Sequence, residues 1–102
     1  MGPDPSVETK SGTAPSRLLN IINKKGLHAR ASAKFVKTAE RFDAKVLVTK
    51  NGASVCATSI MGLMMLAASS GCCIEVSASG RQANDVLDAL QELVENRFDE
   101  ES

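Results

Sequence analysis

The single histidine of the chain, His28, is the residue whose type and surroundings point most directly to chemistry. It stands in the segment Gly26-Leu27-His28-Ala29-Arg30, between an apolar run of strand length and a stretch with helical periodicity. The first turn of a helix has unpaired amides and a positive dipole, so anions bind there readily. An imidazole nitrogen at this position could attack a phosphoryl group, and the Arg30 guanidinium could hold the phosphate oxygens. A surface histidine without a role is the alternative that this segment alone leaves open.

Positive charge surrounds this histidine in the sequence. Gly26 allows a sharp turn before His28, and Lys24 and Lys25 precede that turn. A basic stripe follows along the predicted helix, with its members spaced by four, three and four residues: Arg30, Lys34, Lys37 and Arg41. Residues 16–50 carry nine basic and two acidic groups, whereas residues 51–102 carry two basic and eight acidic groups. This asymmetry is typical of a surface for an anionic ligand or an acidic partner, or else of two halves that attract each other within the fold.

The cysteines do not predict a metal site or a disulfide framework. Cys56 is isolated and Cys72 and Cys73 are adjacent, which gives an odd number without a CxxC spacing. We therefore expect three reduced thiols, no bound metal and no cofactor.

Composition weighs against several classes of protein. The net charge is zero, and the chain has three Phe, no Tyr and no Trp, so it lacks the features of a nucleic-acid binder. No apolar run approaches the roughly 18 residues that a membrane helix needs. The polar start, MGPDPSVETKSGTAPSR, contains no apolar signal-peptide core. We expect a cytoplasmic protein without membrane insertion.

The periodicities predict the element order β-α-β-β-α-β-α and an α+β fold. Strands are predicted over 17–23, 45–50, 53–57 and 73–78, with a hairpin turn at Asn51-Gly52. A helix of about 13 residues carries the basic stripe, and the shorter segment IMGLMMLAA follows Ser59 as its N-cap. A final helix is predicted to begin at an Asn84 cap and to bury its apolar stripe: Val86, Leu87, Leu90, Leu93 and Val94. Three amphipathic helices would cover one face of a four-stranded antiparallel sheet and leave the other face solvated.

The chain divides into one domain and two tails. Residues 1–15 are rich in Pro, Gly, Ser and Thr and predict a disordered tail. Residues 16–98 form the domain, and residues 99–102 form an acidic C-terminal tail. The segment from Arg97 onward is predicted to be frayed.

Two segments resemble a known family. The stretch GLHARASAKFV at 26–36 resembles the active-site signature of HPr, the histidine-containing phosphocarrier of the phosphoenolpyruvate-dependent phosphotransferase system. The stretch SIMGLMML at 59–66 resembles the family's regulatory-serine segment at the correct separation. The resemblance covers about residues 16–97 and implies the open-faced β-sandwich of that family.

The resemblance implies a role for particular residues. His28 matches the histidine that is phosphorylated on Nδ1, Arg30 matches the arginine that stabilises the phosphohistidine, and Ala29 contributes its backbone beside the phosphate. Ser59 matches the serine that a dedicated kinase phosphorylates in many bacteria. The apolar docking patch corresponds to Ile60, Met61 and Met64, and the cations Lys34 and Lys37 of the neighbouring stripe would steer acidic partners.

The resemblance also implies the partners. They would be enzyme I, enzyme IIA domains and, where Ser59 is regulated, HPr kinase/phosphorylase, with the chain acting as a monomeric phosphocarrier rather than an enzyme that turns over. Two positions depart from the family pattern: Ala31 stands where proline is common, and Thr58 stands where lysine is common. The nitrogen-related branch of the same system is one alternative. A binding module that acts only through Ser59 and a small α+β nucleic-acid binder are two others.

Overall fold

A computed structural model describes residues 14–99, and the element order within this range is the predicted one. The elements are β1 (Ser16–Asn20), α1 (Ala29–Glu40), β2 (Lys45–Lys50), β3 (Ala53–Cys56), α2 (Ile60–Met65), β4 (Cys73–Ser79) and α3 (Ala83–Glu95). A 3₁₀ turn at Arg97–Asp99 follows α3. Most of the predicted N-terminal tail, and residues 100–102 of the predicted acidic tail, lie outside the described residues.

The four strands form one antiparallel sheet in the order β1-β4-β2-β3. Asn51 and Gly52 join β2 to β3 with φ values of 52° and 84°, so both central turn residues have the positive φ that this dipeptide predicts. The helices cover one face, where the strands bury Val46, Val48, Ile74, Val76 and Ala78. The opposite, uncovered face carries residues that alternate with these along the strands, including Leu18, Leu47, Glu75, Cys56 and Cys73. The predicted open-faced β-sandwich is confirmed.

The apolar stripes of the helices form the other half of the core. Phe35, Val36 and Ala39 of α1 are buried, as are four of the five residues predicted for the last helix: Val86, Leu87, Leu90 and Val94. Leu93, the fifth, is partly buried and packs against the core. Together with the sheet, these stripes hold the start of α1 and the short helix α2 in fixed positions.

Three predicted boundaries are wrong by two or three residues, and three other strand ends differ by one residue. Strand β1 ends at Asn20 rather than at residue 23. The Ile21 N–H donates to the Cys72 carbonyl and the Ile21 carbonyl accepts from the Gly71 N–H, so two residues face one and the regular pairing with β4 ends there. Helix α2 ends at Met65 because Ala67 adopts a left-handed φ of 55°, which no helix can continue through. Helix α3 begins at Ala83 with Gln82 as its N-cap, so Asn84 lies inside the helix and is not its cap.

The C-terminal turn differs most from expectation. Arg97–Asp99 are not frayed: Phe98 is fully buried in the core. All three residues have positive φ, between 55° and 63°, which is costly for side chains other than glycine. Lys34 of α1 donates a hydrogen bond of 2.8 Å to the Phe98 carbonyl, and its ammonium lies 3.8 Å from the Asp99 carboxylate. Burial of the phenyl ring and this contact with α1 hold the turn in place.

Candidate functional site

His28 is the N-cap residue of α1. Its backbone is extended, with φ −76° and ψ −178°, and its side chain is partly exposed. Its carbonyl accepts the first helical hydrogen bond, 2.8 Å long, from the Ser32 N–H. The amides of Ala29, Arg30 and Ala31 precede that bond, and the first turn contains no acidic residue. The imidazole therefore stands beside the positive end of a 12-residue helix.

The turn before His28 requires glycine. Gly26 has φ +67°, and a Cβ atom added there would lie 2.4 Å from the carbonyl oxygen of Ala68. Leu27, the next residue, donates its N–H to that same oxygen at 2.9 Å. The loop that presents His28 is thus pressed against the loop that follows α2, and a side chain at position 26 would push the two apart.

A shallow hollow of about 200 Å³ lies where these loops meet. Its lining residues are Lys25, Leu27, His28, Ala67, Ala68 and Ser69. Of these, sequence reasoning singled out His28 and Lys25 and missed the three after α2. The residue types of Ala67, Ala68 and Ser69 give no indication of chemistry in the sequence. Their contact with the loop before His28 depends on the left-handed turn at Ala67.

Ala29 and Arg30 occupy the exposed first turn of α1. Arg30 is one helical turn or less from His28, but it does not line the hollow beside the imidazole. Farther along α1 the basic stripe faces a second hollow, of about 440 Å³, between α1, α3 and the C-terminal turn, lined by Lys34, Lys37, Thr38, Arg41, Leu93 and Asp99. Lys34 is directed to the C-terminal turn, whereas Lys37 and Arg41 are exposed.

Ser59 caps α2, as predicted. Its hydroxyl accepts a hydrogen bond of 2.9 Å from the Gly62 N–H. Leu63 and Leu66 are buried in the core, while Ile60, Met61 and Met64 are exposed. Met65 is more exposed than Met61, at 79% against 68%, and was not singled out from the sequence. Because α2 packs against α1, its exposed face lies in the same helical layer as the site.

The three cysteines carry free thiols. Hydrogen bonds from Ser69 lower the pKa of the Cys72 thiol from its ordinary value, and the positive charge of Lys50 acts in the same direction. Within residues 14–99, no three His, Cys, Asp or Glu side chains cluster in a way that could hold a metal ion. Among the helices in the same range, none has the length and apolar character to cross a membrane.

Comparison with known proteins adds to this geometry. A family model described as "PTS HPr component phosphorylation site" matches residues 15–96. The phosphocarrier protein HPr of Neisseria meningitidis is 50% identical over 82 residues, which cover 80% of this chain and 92% of the relative. The crystal structure of HPr-C-His from Thermoanaerobacter tengcongensis has a TM-score of 0.83 at 41% identity, covering 86% of this chain and 99% of that one. A crystallised HPr dimer from the same organism has a TM-score of 0.68 at 43% identity, covering 80% and 94%.

The open-faced β-sandwich of this chain is thus shared with a class of small phosphocarriers. The chain belongs to the HPr family of the phosphotransferase system. It is a phosphocarrier and not a classical enzyme.

Proposed function

We propose that His28 accepts a phosphoryl group from phosphorylated enzyme I and passes it to enzyme IIA domains. The observation that carries the proposal is the position of His28 at the N-cap of α1, partly exposed and directly before three first-turn amides. A dianionic phosphoryl group on the ring would be stabilised by these amides and by the helix dipole. Arg30, on the same turn, would add a charge-assisted hydrogen bond.

The transfer step conserves atoms and charge. The Nδ1 lone pair attacks the phosphorus, and a new N–P bond forms as the bond between phosphorus and the phosphorylated atom of enzyme I breaks. That atom keeps the electron pair of the broken bond. Transfer to enzyme IIA repeats the step with His28 as the donor, so the chain ends each cycle unchanged.

Incubation with enzyme I, phosphoenolpyruvate and Mg²⁺, followed by intact-mass analysis, tests this proposal. We expect one phosphoryl group per chain, lost in acid as a phosphoramidate should be. The His28→Ala protein should gain none, while Ser59→Ala should gain it normally. Phosphorylation of His28→Ala to the wild-type extent would show that another residue is the acceptor.

We further propose that Ser59 is a regulatory phosphorylation site for a kinase of the HPr kinase/phosphorylase type. The support is its place beside the exposed apolar residues Ile60, Met61 and Met64, which we propose as the docking patch for both partners. Flexible methionines suit a surface that receives more than one protein. A phosphate at Ser59 would place negative charge in that patch and repel acidic partners. Incubation with such a kinase and ATP, with Ser59→Ala as control, tests the assignment.

The cations of α1 would steer these partners to the patch. Lys37 is exposed, whereas the Lys34 ammonium contacts the C-terminal turn, so we assign Lys37 the larger share of the steering. We propose a cytoplasmic monomer in either the sugar-transport or the nitrogen-related branch. Because an HPr dimer has been crystallised from Thermoanaerobacter tengcongensis, sedimentation equilibrium is the measurement that decides the oligomeric state.

A further inference from the structure

Two polar side chains are fully buried among residues 14–99: those of Asn23 and Ser32. Burying an amide or a hydroxyl costs free energy unless a hydrogen bond replaces its contact with water. Position 32 shares the buried face of α1 with Phe35, Val36 and Ala39, where an apolar side chain would continue the stripe. Asn23 follows β1, and Ser32 lies on the buried side of the first turn of α1. Their hydrogen bonds therefore indicate what they do.

Both side chains bond to the same dipeptide, the one that immediately precedes His28. Asn23 donates from Nδ2 to the Gly26 carbonyl at 2.8 Å. Ser32 donates from Oγ to the Leu27 carbonyl at 3.2 Å. The Ser32 N–H also donates to the His28 carbonyl at 2.8 Å, so this one residue holds two consecutive carbonyls of the site loop.

The amides of the dipeptide are held from the other side. The Gly26 N–H donates to the Asn23 carbonyl at 3.2 Å, and the Leu27 N–H donates to the Ala68 carbonyl at 2.9 Å. Gly26 and Leu27 are themselves buried, so water cannot take over these bonds. Every backbone donor and acceptor of the dipeptide thus has an assigned partner, and the orientations of its peptide planes are fixed.

We propose that Asn23 and Ser32 are positioning residues for His28. They fix the two peptide units that set the direction in which the His28 Cα–Cβ bond leaves the chain, and so where the imidazole stands relative to the first-turn amides. Both are buried and cannot touch the phosphoryl group or a partner protein. The role rests on the proposed function of His28, and it deepens that function by naming what preorganises the site.

The kinetics of phosphorylation by enzyme I separate this role from a merely structural one. Docking involves exposed surfaces that Asn23 and Ser32 do not reach. Replacing either residue should therefore lower the kcat of phosphorylation by enzyme I and leave unchanged the KM of enzyme I for this chain as its substrate. Ser32→Ala introduces a good helix former and removes the hydrogen bond from the Ser32 hydroxyl to the Leu27 carbonyl. We expect a kcat roughly fivefold lower, the factor that corresponds to one hydrogen bond, and a comparable or larger decrease for Asn23→Ala.

Two controls accompany the measurement. Val94→Ala removes buried methyl groups from α3 and destabilises the fold without touching the site loop, so at a temperature where all variants are folded its kcat and KM should equal wild type. Ser54→Ala makes the same chemical change as Ser32→Ala on an exposed strand residue and should also be silent. If Asn23→Ala does not fold, Ser32→Ala alone carries the test.

The outcomes distinguish the two proposals. If wild type takes up no phosphate, or if His28→Ala takes it up, the proposed function is wrong and the positioning role falls with it. If wild type is phosphorylated on His28 and Ser32→Ala matches its kcat, the positioning role alone is overturned. A higher KM with normal kcat in Ser32→Ala would also overturn it, since that result belongs to a docking defect.

Discussion

Arg30, which we propose as the stabiliser of the phosphohistidine, does not line the hollow beside the imidazole. It is exposed on the first turn of α1, two residues after His28. We expect Arg30→Ala to shorten the lifetime of the phosphohistidine and to slow its formation, each by roughly tenfold, the value of one charge-assisted hydrogen bond. Arg30→Lys keeps the charge but loses the forked pair of donors, so its phosphohistidine lifetime and formation rate should fall between those of wild type and Arg30→Ala. Stopped-flow transfer and acid-free hydrolysis assays measure both effects. Unchanged kinetics in Arg30→Ala would remove it from the site.

Ser59 joins a structural role to the proposed regulatory one. Its hydroxyl caps α2, so Ser59→Ala should lower stability by about 1 kcal/mol, seen as a lower Tm. Ser59→Asp keeps an acceptor at the cap and adds favourable charge at the helix start, so its Tm should equal or exceed that of wild type. The same charge beside Met61 should slow transfer from enzyme I. Thermal unfolding and transfer kinetics of the two variants provide the test. A lower Tm with normal transfer in Ser59→Asp would contradict both parts.

At the scale of elements, the C-terminal turn is an anchor for the helical layer. Phe98→Ala should destabilise the domain by about 3–5 kcal/mol, because it empties a fully buried site and releases a strained backbone. Lys34→Met should cost about 1 kcal/mol through loss of the bond to the Phe98 carbonyl. Lys37→Met makes the same change in charge one turn along α1 and should cost less. Urea unfolding of the three proteins measures these differences. Equal stability of the two lysine variants would show that the contact with the turn adds nothing.

The elements themselves were largely predictable, and the exceptions have a common cause. The alternation in KVLVTK, the Asn51-Gly52 turn and the stripes of the long helices are local patterns, and each formed where it was predicted. The end of α2, the start of α3 and the docked turn at Phe98 depend on contacts between distant segments. A left-handed alanine at position 67 and a left-handed phenylalanine at position 98 run against their intrinsic preferences. Tertiary packing determines such positions, so no local signal marks them.

The positions of the candidate site residues were predictable to a similar depth. His28, Gly26 and the Ser59 cap followed from residue type and spacing, and the structure places them as expected at the helix starts and the turn. The wall formed by residues 67–69 and the buried amide of Asn23 did not follow, because both depend on how the loop before His28 packs on the loop after α2. A polar residue next to an apolar run gives the same sequence signal whether it is buried or exposed.

At the scale of the whole molecule, part of the charge asymmetry is paired within the fold and part of it stays exposed. Arg17 Nη1 lies 2.6 Å from Asp88 Oδ1, and so joins the basic and acidic halves within the fold. Arg30, Lys37 and Arg41 stay exposed on α1. We expect added salt to slow phosphorylation by enzyme I by roughly tenfold between low and high ionic strength, because it screens the steering of an acidic partner. The free energy of unfolding should change little with salt, since exposed ion pairs contribute little to stability.

The salt series has its own control. Lys37→Gln should reduce the dependence of the phosphorylation rate on salt, whereas Lys45→Gln, on β2 and outside the helical layer, should leave it unchanged. Equal salt dependence in wild type and Lys37→Gln would show that α1 does not steer the encounter.

The uncovered face of the sheet has a practical consequence. Two of the three thiols, Cys56 and Cys73, are exposed on that face, opposite the layer that contains His28, Ser59 and Met61. A maleimide-coated sensor chip would thus capture a Cys72→Ser protein through the uncovered face of its sheet. The helical layer would then face the solution and remain accessible to partners. Oriented immobilisation, which usually needs an added tag or an engineered cysteine, would here use two native cysteines after one substitution at Cys72.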